Sequence, residues 1–182
     1  MKDLGAANFI LGMEIRRDRA NKMISLNQRK YVETVLQRFN MQESKPVKFP
    51  IPVAVKLSVE QCPKTLEEEE DMSQFPYASA VGSLMYAMVC TRPDIAHAVG
   101  VLSRYMSKPG KEHWTSVKRV FRYLCGITDY AICYQGRPRT CIIVDVHIFV
   151  DADWARDLDC RIPTSGYVFN LFGGDINWVS KR

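Results

Sequence analysis

No apolar run in this 182-residue chain approaches the roughly 18 residues needed to cross a bilayer, so no membrane span is expected. The opening stretch MKDLGAANFILGMEIRRDR puts Asp3 where a secretory leader carries positive charge. Gly12 and Glu14 then break the apolar segment behind it, so an unexported chain is the expectation. Closely spaced cysteine pairs are also missing. Cys62, Cys90, Cys125, Cys133, Cys141 and Cys160 are scattered with no CxxC among them, which fits reduced thiols and excludes a structural zinc site of the usual spacing. His97, His113 and His147 form no spaced ligand set, and PGKEHW lacks the glycines and hydroxyl residue of a phosphate loop.

What is present is an ordinary globular composition, 47% hydrophobic and 25% charged, sized for one domain or two small subdomains. The net charge of +5 is a mild argument for an anionic partner and says nothing about fold.

Along the chain, FILGMEIRRD and KMISLNQ read as two short strands about the turn DRAN. Tyr31, Val32, Val35, Leu36 and Phe39 recur at helical spacing, which predicts an amphipathic helix over 28–40. Pro46, Pro50 and Pro52 make the next stretch an extended connector, and the acid run Glu67 to Asp71 reads as a solvated loop or a first helical turn. The middle reads as three packed helices with short connections. The first carries Tyr77, Val81, Leu84, Met85 and Met88 on one face; the second carries Ile95, Val99, Leu102 and Met106; the third carries Trp114, Val117, Phe121 and Leu124. Between the first two, TRPD offers Thr91 as an N-cap, Asp94 as its capping-box partner and Pro93 in the first turn. From residue 129 the period becomes strand-like in YAICYQG, CIIVDVHIFV, GYVFNLF and DINWVS, with a turn at Gly173 and Gly174. Those segments read as the opening of a mainly antiparallel sheet, which would leave edges exposed.

Two sets of residues carry candidate chemistry. In FVDADWARD, Asp151 sits at the end of a strand and Asp153 points the same way by the two-residue period. Carboxylates so placed can hold divalent metals for phosphodiester cleavage. DxD is a weak signal, and spacing alone favours a solvated turn whose acids cap N–H groups. Basic residues form the second set: Arg16, Arg17, Arg19 and Lys22 about the first hairpin turn, and Lys118, Arg119 and Arg122 beside Tyr123 on the third helix. Phosphate-directed, salt-sensitive contacts and a solvated charged face weigh about equally for them. Trp114 and Tyr123 read as packing residues.

The ordered motifs MKDLG, ILGMEI, YASAVGSLMYAMVCTRPDIAHAVGVLSRYMSKPGKEHW, FRYLCG, DADWARD, TSGYVF and GGDINW resemble the pol polyprotein of copia-type LTR retrotransposons over nearly the whole chain. The resemblance implies an α+β fold with a partial palm hairpin, a central three-helix thumb/connection unit and an incomplete ribonuclease H-like antiparallel sheet. Residues 1–45 would be the end of the reverse transcriptase palm and the opening of the thumb, and 46–75 an extended linker with prolines and acids. Residues 76–128 would be the thumb and connection helices, and 129–182 a connection hairpin and the start of ribonuclease H.

The family's polymerase aspartates lie in a YVDD-type motif upstream of MKDLG, and most of its ribonuclease H carboxylates lie beyond the SKK-like segment. Asp151 would therefore be the one metal ligand and catalytic position inherited here, vestigial and in an incomplete site. Mg²⁺ is implied for the intact family enzyme and no cofactor for the chain alone. Arg156 replaces the family's Gly, Arg161, Ile162, Pro163 and Thr164 replace a more polar RKST, and Asp175 replaces Ala, departures that together suggest relaxed constraint. The expectation is a fragment without catalysis of its own, in the cytoplasm or nucleus, with weak affinity for an RNA·DNA hybrid or other nucleic acid. Two alternatives remain: part of an active polymerase/ribonuclease H polyprotein, or a secreted pathogen effector that meets a host protein. Copia-like fragments also occur as effectors of oomycete plant pathogens, but no Arg-x-Leu-Arg motif supports that reading here.

Overall fold

Leu11 and Gly12 both sit at positive φ (49° and 74°), the pair of left-handed residues that a two-residue hairpin of the type I′ twist needs. They join β1 (Phe9–Ile10) to β2 (Met13–Asp18). The next turn is held by Asp18, whose carboxylate accepts hydrogen bonds from the Asn21 backbone N–H (3.0 Å) and side-chain amide (2.7 Å). Those bonds, the backbone one foremost, hold the Asp18 pKa below its ordinary value. β3 (Met23–Asn27) completes the expected hairpin with β2, but FILGMEIRRD, read from the sequence as one strand, is divided by the Leu11–Gly12 turn into two antiparallel strands. The computed structural model describes residues 5–52, 54–136, 146–153, 159 and 164–181, with 146–153 as backbone only. Among them the chain is a mixed α+β fold with a helical centre and two antiparallel sheets.

The centre is built by apolar stripes. α1 (Arg29–Arg38) buries Val32, Val35 and Leu36, and Phe39 just past it stacks on Phe121 at 5.0 Å. α3 (Tyr77–Cys90), α4 (Ala96–Ser103) and α5 (Lys111–Cys125) contribute Val81, Leu84, Val99, Leu102, Val117, Val120, Phe121 and Leu124 to one buried cluster. Met85 departs from the predicted face. α3 is apolar all round, and its buried face is Tyr77, Ala80, Val81, Leu84 and Ala87, while Met85, Tyr86 and Val89 are exposed.

The acid run lies on α2 (Leu66–Ser73), started by Thr65, whose hydroxyl accepts the Glu68 N–H at 3.2 Å while the Glu68 carboxylate accepts the Thr65 N–H. TRPD is used differently from the predicted cap. Thr91 Oγ1 donates to Gln28 Oε1 at 2.7 Å inside the core, and Asp94 turns back onto Arg92 at 2.6 and 2.9 Å. Arg92 also donates to the Ile127 carbonyl (3.2 Å), and Tyr123 donates its hydroxyl to Asp94 (2.9 Å). Tertiary partners outcompete the local capping box. Pro93 does sit at the start of a 3₁₀ turn, Pro93–Ile95, as its missing N–H permits.

β4 (Ala131–Gln135) joins β3, with Leu26 opposite Ile132, so the first sheet runs β1-β2-β3-β4. The expected continuation of YAICYQG into the following sheet is therefore corrected: this strand returns to the N-terminal hairpin. The second sheet is β5 (Val146–Asp153), β6 (Thr164–Leu171) and β7 (Gly174–Lys181), in that order. Its tight turn is Phe172 and Gly173, at φ 52° and 81°, one residue before the predicted pair. Gly174 is instead a close approach. A Cβ there would lie 2.6 Å from the Tyr134 ring, whose hydroxyl donates to the Asp175 carbonyl at 2.7 Å. The two sheets thus meet through β4 and β7. Trp178 Nε1 donates to the Met88 carbonyl at 2.9 Å and ties β7 to α3. Among the described residues no helix is long and apolar enough to cross a membrane.

Candidate nucleic-acid interface

The carboxylates divide by position. β5 sets Asp151 opposite Gly166 and Asp153 opposite Thr164 in the antiparallel ladder, and Asp157 lies outside the described residues. Asp159 is tied to the helical centre: it accepts the Val59 N–H at 2.9 Å and the Tyr105 hydroxyl at 3.0 Å. Capping of N–H groups by this acid segment was one reading of the sequence, and Asp159 does that to the 3₁₀ turn Val59–Gln61. The Tyr105 ring stacks on buried His113 at 3.9 Å, and His113 Nδ1 accepts the Gly110 N–H at 2.8 Å. Burial is the main cause that pushes the His113 pKa down, so the imidazole is held neutral as a packing group. Among the described residues no group of three His, Cys, Asp or Glu is placed to hold a metal ion.

The basic candidates fall into two groups. On the hairpin, Arg16 pairs with Glu14 at 3.0 Å and Arg17 donates to the Ala7 carbonyl at 2.6 Å. Arg19 and Lys22 are exposed in the turn, where the Lys22 carbonyl accepts the Gly136 N–H. Much of the hairpin's charge is therefore engaged locally.

On α5 the pattern differs along the helix. At its N-terminal end Lys111 pairs with Asp71 at 3.0 Å, and beside it Lys108 pairs with Glu69 at 2.6 Å, so the acids of α2 neutralise that end. About two to three turns further on, Lys118 is exposed and Arg119 and Arg122 are half-buried. Among the described residues no ion pair engages Lys118, Arg119 or Arg122. Arg122 Nε donates to the Lys45 carbonyl at 2.8 Å, which fixes the guanidinium while spending no counter-charge on it. Trp114 and Tyr123 pack as expected, Trp114 against Phe75 at 5.5 Å and Tyr123 onto Asp94. Burial, then the Asp94 charge, raises the Tyr123 pKa to about 12.

The docking of the segment after α1 onto α5 escaped sequence reasoning. Residues 42–46 lie against the C-terminal end of α5, with Cys125 Sγ 3.3 Å from the Gln42 carbonyl and Pro46 packed at Gly126. Only the prolines marked this strap in the sequence, and they specify extension without naming a neighbour.

Relatives give this arrangement a family. The chain is 52% identical over 181 residues to the retrovirus-related Pol polyprotein from transposon TNT 1-94 of Nicotiana tabacum, covering 100% of the chain and 13% of that polyprotein. It is 37% identical over 175 residues to the Pol polyprotein from transposon RE2 of Arabidopsis thaliana, covering 96% of the chain and 11% of the relative. A secreted RxLR effector protein of Plasmopara viticola is 49% identical over 111 residues, which is 61% of this chain and 75% of that protein. No family model and no solved structure matches. The chain belongs to the Pol polyproteins of copia-type retrotransposons. It spans little more than a tenth of the Pol polyproteins it matches (13% and 11%).

Proposed function

We propose that this chain is a nucleic-acid-holding segment of a copia-type Pol polyprotein. In this reading it runs from the end of the reverse transcriptase palm through a three-helix thumb/connection unit to the start of ribonuclease H. It grips a sugar–phosphate backbone, that of an RNA·DNA hybrid in the family's context, and carries out no catalysis alone, in the cytoplasm or nucleus. The supporting observation is the basic face of α5, where Lys118, Arg119 and Arg122 have no anionic partner among the described residues while the lysines at the other end of the helix do. Cations left without a counter-charge on a rigid helix suit phosphate contacts, which position a nucleic acid without reading its sequence.

In this reading Mg²⁺ chemistry belongs to the intact family enzyme. In the same reading Asp151 keeps the family's metal-ligand position, while the Asp159 carboxylate is engaged by Val59 and Tyr105.

The test is hybrid binding by fluorescence anisotropy over a salt series, together with a Mg²⁺-dependent cleavage assay and an Asp151→Ala control. Lys118→Gln and Arg122→Gln should each weaken binding and flatten the log–log salt dependence by roughly 1. Cleavage that disappears in Asp151→Ala would overturn the non-catalytic part. A wild-type protein that binds no hybrid would overturn the gripping part. It would leave the second reading, a host-directed effector on the same scaffold, which draws on the 49% identity to the Plasmopara viticola protein.

A further inference from the structure

The strap that follows α1 presents a second row of cations beside the first. Lys45 and Lys48 are exposed while Val47 between them is half-buried, so the strap sits with its apolar residue inward and both ammonium groups outward. Three contacts fix it to the end of α5: Gln42 with Cys125, Lys45 with Arg122, and Pro46 with Gly126. Among the described residues no ion pair engages Lys45 or Lys48. Phe49, the next residue, is 63% exposed, a large apolar ring left in water beside a cation.

The spacing is that of a row. Lys118 and Arg122 stand about 6 Å apart along the helix axis, and Lys45 and Lys48 at most about 10 Å apart along the strap. The hydrogen bond from Arg122 to the Lys45 carbonyl joins the two rows at one end. A backbone carrying regularly spaced phosphates can be followed by such a track, where one isolated anion would use only part of it. The exposed ring separates the forms of nucleic acid. Paired bases hide their faces in the stack, whereas an unpaired base can lie on an aromatic side chain.

We propose that Lys45 and Lys48 extend the α5 face into one track for single-stranded nucleic acid, with Phe49 as the platform on which an unpaired base stacks. The proposal rests on the gripping reading above and names its preferred substrate class. The track holds phosphates through four or five cations, and the ring adds affinity without charge.

The experiment measures binding of fluorescein-labelled oligothymidylate, and of the same oligomer paired with oligoriboadenylate, across a salt series. Lys45, Lys48, Phe49 and Lys118 are exposed and Arg122 is half-buried, so each variant is first checked for an unchanged melting transition. Wild type should prefer the single strand. The double variant Lys45→Gln/Lys48→Gln should weaken its binding and reduce the salt slope by about 1.4, near 0.7 for each phosphate no longer neutralised. Phe49→Ala should lower single-strand affinity by roughly fivefold or more, with little change in hybrid affinity or in the salt slope. If Lys118→Gln and Arg122→Gln weaken binding while the strap variants do not, the track is wrong and the α5 reading survives. If the hybrid binds as tightly as the single strand and Phe49→Ala changes neither, the stacking platform is wrong. If wild type binds neither probe, the gripping reading fails and the track with it.

Discussion

Replacing Asp94 by Asn should destabilise the protein by about 3 kcal/mol, while replacing its partner Arg92 by Met should cost about half of that. The asymmetry follows from burial. The Arg92 side chain is 3% exposed and that of Asp94 is 30% exposed, so the two charges differ in what water can do for them once the partner is gone. Breaking a buried pair from one side costs on the order of 3–5 kcal/mol because the remaining charge is stranded. In Asp94→Asn the stranded group is the guanidinium, left with the Ile127 carbonyl at 3.2 Å, a neutral amide, and the rings of Tyr123 and Tyr130 about it at 5.8 and 6.0 Å. In Arg92→Met the carboxylate that remains is reached by solvent and still accepts from Tyr123 at 2.9 Å, while the methionine keeps much of the apolar packing of the arginine stem. Urea denaturation with equal m-values gives the two free energies directly. For a chain of this size a loss of about 3 kcal/mol should lower the melting temperature by roughly 6–12 °C. The double variant Arg92→Met/Asp94→Asn should be more stable than Asp94→Asn alone, since no charge is then stranded. An Arg92→Met variant as unstable as Asp94→Asn, or a double variant worse than either, would refute the reasoning.

Two further outcomes test other joints of the fold. Tyr123 has its pKa raised from the ordinary 10.0 to about 12, mainly by burial, so its neutral hydroxyl adds stability below about pH 10 that is lost as pH climbs through the folded value; burial also raises Tyr31, Tyr77 and Tyr134, so a tyrosinate absorbance titration should show several late-titrating tyrosines, and Asp94→Asn should lower the midpoint of one of them alone, without reaching 10. Gly174→Ala would place a Cβ 2.6 Å from the Tyr134 ring and 2.9 Å from the Cys133 carbonyl, and should cost about 1–3 kcal/mol by denaturation, part of it recovered when Tyr134 is shortened to Ala; an Ala variant as stable as wild type would show that β4 and β7 do not meet this closely.

How far the sequence could be read depends on where each signal lives. α1 was legible to within two residues at its ends, because Val32, Val35 and Leu36 are the buried positions of a helix whose other face is polar. α3 was legible as a helix, and Tyr77, Val81 and Leu84 as part of its buried face, but Met85 was not placed correctly. Apolar residues surround it, so periodicity has nothing to contrast, and only the neighbours decide that Leu84 is buried and Met85 exposed. TRPD matched a capping pattern, yet Asp94 is held by Arg92 and Tyr123, and Tyr123 lies 29 residues away in sequence. The basic residues of α5 were legible as candidates. Which of them keep their charge available depends on α2 and the strap, each brought to the helix by long-range packing.

Sequence alone determined α1 and the three central helices, the hairpin about DRAN, the turn region at Gly173 and the family, because each is written in local periodicity, in turn-forming residues, or in the order of motifs; it left α2 open between loop and first turn and missed the Leu11–Gly12 turn inside FILGMEIRRD. Tertiary structure alone decided that β4 leaves its sequence neighbours to pair with β3, since an edge strand offers the same hydrogen bonds to any partner and the surrounding packing selects one. It alone decided that Asp159 serves the 3₁₀ turn at Val59 and that Lys45 stands beside Arg122. Charges and hydrogen-bonding groups act through space, and the distance that sets their effect is fixed only when the chain has folded.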